Sequence, residues 1–146
     1  MALLKGFSKV DEEGKVKIPS NIRDQIGFRP ESPVEIKVIR IKDSSRWPYL
    51  IVHHPHSNPR LTKLQVTMME GKSQIDEEGK LALLEEMLEE TKLRPDYRVE
   101  IKLMGSKQDP WAVIHNRGPN TPTTLQLRFG LKKKREKKWQ TQKWEY

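Results

Sequence analysis

The sequence predicts a β-dominated α+β protein made of two internal repeats and a basic C-terminal extension. Three observations carry this. First, Asp11-Glu12-Glu13-Gly14-Lys15 recurs as Asp76-Glu77-Glu78-Gly79-Lys80, and the match continues ungapped at an offset of 65. Arg29-Pro30 meets Arg94-Pro95, and Val34-Glu35-Ile36-Lys37 meets Val99-Glu100-Ile101-Lys102, giving 11 identities in 29 positions. A repeated unit that cannot bury its own apolar face needs its copy to cover it. Second, apolar residues alternate with a period of two over several short segments, which is the strand signature. Third, residues 128–146 carry 8 basic and 2 acidic side chains, a composition unlike that of the body.

In the first repeat, Phe7–Val10 alternates as a strand. Asp11–Gly14 has turn chemistry, with glycine available for positive φ. Val16-Lys17-Ile18 alternates again. Pro19 ends that strand and suits the start of a helix over Ser20–Ile26, where Ile22 and Ile26 share one face. Gly27 is the natural stop, and Arg29-Pro30-Glu31-Ser32 forms a turn. In Val34–Ile41, residues Val34, Ile36, Val38 and Arg40 face one way and Glu35, Lys37, Ile39 and Ile41 the other. Tyr49–His53 closes the unit.

The second repeat follows the same path with a longer helix over Leu81–Leu93. It places Leu84, Met87, Leu88 and Thr91 at helical spacing, with Glu85, Glu86, Glu89 and Glu90 outside. Val99–Met104 and Trp111–His115 are its last strands. The organisation is therefore repeat one over 1–54, a Pro- and Asn-containing linker over 55–65, repeat two over 66–118 and the extension over 119–146. A short strand is expected at Leu125–Phe129.

Charge is split between these parts. The formal net charge is +8. Residues 1–65 have 12 basic and 7 acidic side chains, whereas residues 66–127 have 8 and 11. A basic first repeat and a basic extension point to a polyanionic partner. The absence of cysteine removes thiolate metal sites and a cysteine nucleophile. No run reaches the roughly 20 apolar residues of a membrane span, and Met1–Val10 is too polar for a signal peptide, so a cytoplasmic protein is expected. No phosphate loop, nucleophile elbow or zinc spacing is present, so no enzyme, cofactor or metal is expected. His53, His54 and His56 are read as fold positions because His53 matches His115 at the end of the corresponding strand. The paired acidic triplets are read as turn residues.

Lys9-Val10-Asp11-Glu12-Glu13-Gly14-Lys15-Val16-Lys17-Ile18-Pro19, followed by Ile22-Arg23 and Gly27-Phe28-Arg29-Pro30, resembles the AbrB/SpoVT/MazE swapped-hairpin family. Two such units in tandem are similar to the MraZ arrangement. The resemblance implies a double swapped-hairpin barrel built by one chain, a pseudo-dimeric monomer, or else a homo-oligomer. It also implies duplex DNA binding and transcription regulation, with Lys9, Lys15 and Arg23 on phosphate. Lys17 joins them, and Lys80 is the basic equivalent in repeat two. Gly14-Lys15 stands where the family has Gly-Arg, and a lysine cannot make the bidentate base contact of a guanidinium.

The extension suggests a second reading. Lys132, Lys133, Lys134, Arg135, Lys137 and Lys138 run into Trp139, and Trp144 follows. Ammonium groups that neutralise phosphates beside indoles that stack on unpaired bases suit RNA. The alternative is thus a ribosome-associated, rRNA-binding component.

Overall fold

A computed structural model describes residues 4–119. Eight strands and two helices follow in the order β1 (Lys5–Lys9), β2 (Lys15–Lys17), α1 (Ser20–Ile26), β3 (Pro33–Ile41), β4 (Tyr49–His53), β5 (Gln65–Gln74), β6 (Lys80–Ala82), α2 (Glu85–Glu90), β7 (Tyr97–Gly105) and β8 (Pro110–Pro119). The protein is β-dominated, as its alternating apolar segments require. A six-stranded antiparallel sheet has the order β1-β7-β8-β4-β3-β5, and β2 and β6 form a separate two-stranded sheet.

Pairing between the halves of the chain dominates. β1 pairs with β7, β3 with β5, β4 with β8 and β2 with β6. Among the described strands, only β3–β4 and β7–β8 pair within a half. Equivalent backbone groups repeat the same bonds. The Ile18 N–H donates to the Gly79 carbonyl (3.1 Å), and the Leu83 N–H donates to the Gly14 carbonyl (3.2 Å).

Alternation puts Val34, Ile36, Val38, Leu50, Val52, Ile101 and Ile114 on the inner sheet face, all essentially inaccessible to solvent. There they meet Val16, Ile18 and Leu81 from the small sheet, Ile22 and Ile26 from α1, and Met87 from α2. Each such side chain contributes about 1.5–3 kcal/mol by leaving water. A second, smaller cluster of Ile39, Tyr49, Ile51 and Val113 occupies the outer face.

Three sequence expectations need correction. Among the described residues the large sheet does not close into a barrel by hydrogen bonding: β1 and β5 are its two outermost strands. β2 and β6 keep only single bridges to their own halves, Val10–Val16 and Ile75–Leu81. They pair with each other instead. Second, the helix of the second half is Glu85–Glu90, not Leu81–Leu93. Leu81 is fully buried opposite Val16 on a strand, so cross-strand burial overrides helical spacing there. Third, Pro19 is not the first helical residue that its fixed φ favours but stands just before α1, extended at φ −53° and ψ 141°, while the helix itself covers Ser20–Ile26 as expected. The end is as expected: Gly27 takes φ 86° and its N–H returns to the Arg23 carbonyl. Among the described residues, no helix is long and apolar enough to cross a membrane.

Candidate nucleic-acid interface

The two acidic turns build one joined structure. Asp11 Oδ1 accepts the backbone N–H of Glu13 (2.8 Å) and of Lys15 (2.9 Å), closing its own turn. Asp76 Oδ1 does the same for Glu78 and Lys80. The second oxygen of each reaches across the pseudo-equivalent turn. Lys80 Nζ donates to Asp11 Oδ2 (3.2 Å), and Lys15 Nζ donates to Asp76 Oδ2 (3.4 Å). Glu13 and Glu78 stand 3.9 Å from the same two ammonium groups.

These contacts set the ionisation. Partial burial pushes the Asp11 carboxyl up, but the Lys15 and Glu13 N–H groups and the Lys80 ammonium outweigh it, and its pKa is lowered. The Lys80 N–H leads in lowering Asp76. The hydrogen bond to Asp11 leads in raising Lys80. With these shifts, Asp11, Asp76 and Lys80 are all charged at neutral pH.

A groove of 540 Å³ opens over this junction. It brings together four of the five sequence-predicted body residues: Lys9, Lys15, Lys17 and Lys80. Asp11, Glu12 and Asp96 share its walls. Lys9 pairs with Asp96 at 3.7 Å. Lys17 is exposed and makes no ion pair among the described residues. Arg23 is placed elsewhere. Its Nε donates to the Ile18 carbonyl (2.8 Å), and its guanidinium lies flat against Gly79. In the other half Leu88, 65 positions on, covers Gly14 in the same way. Arg23 therefore packs the small sheet rather than lining the groove. Lys132, Lys133, Lys134, Arg135, Lys137, Lys138, Trp139 and Trp144, and the strand expected at Leu125–Phe129, lie outside the described residues.

His53 and His54 are tied to backbone carbonyls. His53 is buried; its Nδ1–H donates to the His54 carbonyl (2.7 Å) and its Nε2 accepts from Lys37 Nζ (2.9 Å). His54 Nε2 turns away to the Ile26 carbonyl. Among the described residues, no group of three histidine, cysteine or carboxylate side chains is arranged to hold a metal.

A larger groove, of 950 Å³, lies on the outer sheet face. It was not legible as a motif, because its walls come from separate segments. The β3–β4 loop gives Arg46 and Trp47, and the segment before β5 gives Arg60. β7 gives Lys102, and β8 gives Trp111 and Arg117. Tyr49 and His115 form its floor, with rings 5.0 Å apart. Burial pushes His115 down to about 4, helped by the nearby charges of Arg117 and Lys102. The one sequence signal was Ser44-Ser45-Arg46-Trp47-Pro48, a polar loop carrying an indole.

No family model and no curated protein matches the chain. One solved structure that it resembles is "The solution structure of PHS018 from pyrococcus horikoshii", at 15% identity and TM-score 0.39, over 83% of this chain and 100% of that one. At that score the likeness carries no argument for fold or function.

Proposed function

We propose that this protein binds nucleic acid, as an AbrB-like DNA-binding regulator whose two halves are copies of one swapped-hairpin unit. The observation that carries the binding is the convergence of Lys9, Lys15, Lys17 and Lys80 on one groove from strands beside two turns distant in sequence. Phosphate contacts from lysines supply affinity that is largely independent of base sequence. The swapped-hairpin reading is supported by the exchange of partners, β1 with β7 and β5 with β3, and by the β2–β6 pair between them.

The carboxylates qualify how the groove acts. Lys15 and Lys80 are held by Asp76 and Asp11 and Lys9 by a longer pair with Asp96, so Lys17 is the ammonium group most available to phosphate and the exposed Lys9 the next. The test is duplex binding by fluorescence anisotropy over a salt series. Lys9→Ala combined with Lys17→Ala should weaken binding and lower the salt slope by about two, one for each phosphate no longer neutralised. An unchanged slope rejects the groove as the duplex site.

The acidic walls of the groove favour RNA binding as a second reading. A groove in which Asp11, Glu12 and Asp96 face the ligand is a weak reader of duplex DNA. Loss of ribosomal co-sedimentation after deletion of residues 131–146 would transfer the function to rRNA.

A further inference from the structure

We propose that the outer face of the six-stranded sheet is a second site, which takes single-stranded nucleic acid by stacking an unpaired base on Trp47. This rests on the nucleic-acid reading and assigns it a strand form and a surface that the lysine groove does not provide.

Charge comes first. Arg46, Arg60, Lys102 and Arg117 line the groove, and among the described residues no carboxylate does. The lysine groove on the small sheet has three acidic side chains in its walls. Glu100 lies beneath the outer groove and accepts from Arg117 Nε (2.9 Å), with Lys5 at 3.5 Å. One buried carboxylate shared by two cations leaves the surface positive and fixes the Arg117 guanidinium while 41% of its side chain stays exposed. A positive concave surface without acids attracts a polyanion.

Aromatic chemistry then decides which polyanion. Trp47 is 49% exposed, and Met104 and Leu64 beside it are 42% and 58% exposed. An exposed apolar patch rimmed by charge marks an interaction surface. An exposed indole that shares a groove with guanidinium groups suits a base with its phosphate: the ring stacks and the fork binds oxygen. In a duplex the base faces are already stacked and cannot reach Trp47, so the site prefers unpaired strands. His115 stays neutral on the floor and offers a flat ring without adding charge there.

The experiment uses the full chain and two 5′-labelled probes, a 12-residue oligouridylate and a hairpin duplex, read by anisotropy. Trp47→Ala should weaken oligouridylate binding by about tenfold or more, the loss of one stacked base. It should leave duplex affinity within about twofold, because the duplex is held by phosphate contacts at the other groove. Arg46→Ala with Arg60→Ala should reproduce the single-strand loss and reduce its salt dependence. All these residues are at the surface, so circular dichroism should be unchanged. Duplex binding with single-strand affinity unaltered by both variants overturns this site and leaves the proposed function standing. No binding of either probe overturns both. Equal displacement of oligouridylate by polyglutamate also overturns it, since the groove would then be selecting an acidic protein segment by charge alone.

Discussion

Asp11 and Asp76 show how much one side chain can organise. Each spends one oxygen on its own turn and the other on the lysine of the opposite turn. Replacing Asp11 with Ala should cost about 1–2 kcal/mol in chemical denaturation, because two backbone N–H groups lose their acceptor. Asp11→Asn keeps an oxygen for the turn and removes only the charge. It should cost less than about 1 kcal/mol, the range of partly exposed ion pairs. Equal losses from the two variants would show that charge, not turn closure, is what matters. Gly79 makes a related case. It sits at φ 81° with the Arg23 guanidinium against it. Gly79→Ala should lower stability by at least about 1 kcal/mol from the left-handed backbone, because the new methyl also displaces the Arg23 guanidinium held by the Ile18 carbonyl. A neutral result in thermal melting would contradict this.

At the scale of elements, the three-residue strands β2 and β6 are too short to stand alone, yet they tie the halves together. Val16 and Leu81 are opposite one another and fully buried. Leu81→Ala should cost about 2–5 kcal/mol, the range for deleting a core side chain. The loss should appear as one cooperative transition rather than early melting of residues 66–118, since most strand pairing joins the halves. A separate low-temperature transition would mean that the halves fold independently. β5, ten residues long, is the more vulnerable outermost strand. Glu70 and Lys72 on it are charges of the kind that discourage pairing with another chain.

For the whole molecule, the two halves pair with each other within one chain, so light scattering should report a monomer of 17.2 kDa; a stable dimer would show pairing between chains. Acid should destabilise it in two stages. His115 in the folded protein is lowered from 6.5 to about 4, and His53 is lowered as well. Between these values the unfolded chain binds more protons, so stability falls as pH drops from about 6.5 towards 4. Asp11, Asp76 and Glu100 have lowered pKa values, so their contribution is complete above the unfolded carboxylate range near 3.8–4.5 and fades below it. Urea titrations at pH 7, 5 and 3.5 check both stages; a flat profile between 7 and 5 would remove the histidine contribution. Much of this molecule could be read from residue order. The limits of α1 and β4 follow from Pro19, Gly27 and the run Tyr49–His53. The two faces of β3 follow from strict alternation, which sends Val38 to the main core and Ile39 to the outer cluster. Those signals are local, and local sterics act on neighbouring residues. Whether β2 would extend the sheet or leave it to meet β6 was a matter of competing partners. So were the strand at Leu81, the capture of Lys15 by an aspartate 61 positions away, and the gathering of Trp47, Arg60 and Arg117 around one groove. Only the tertiary structure decided these, because cross-strand burial and charge pairing depend on which segments meet in space.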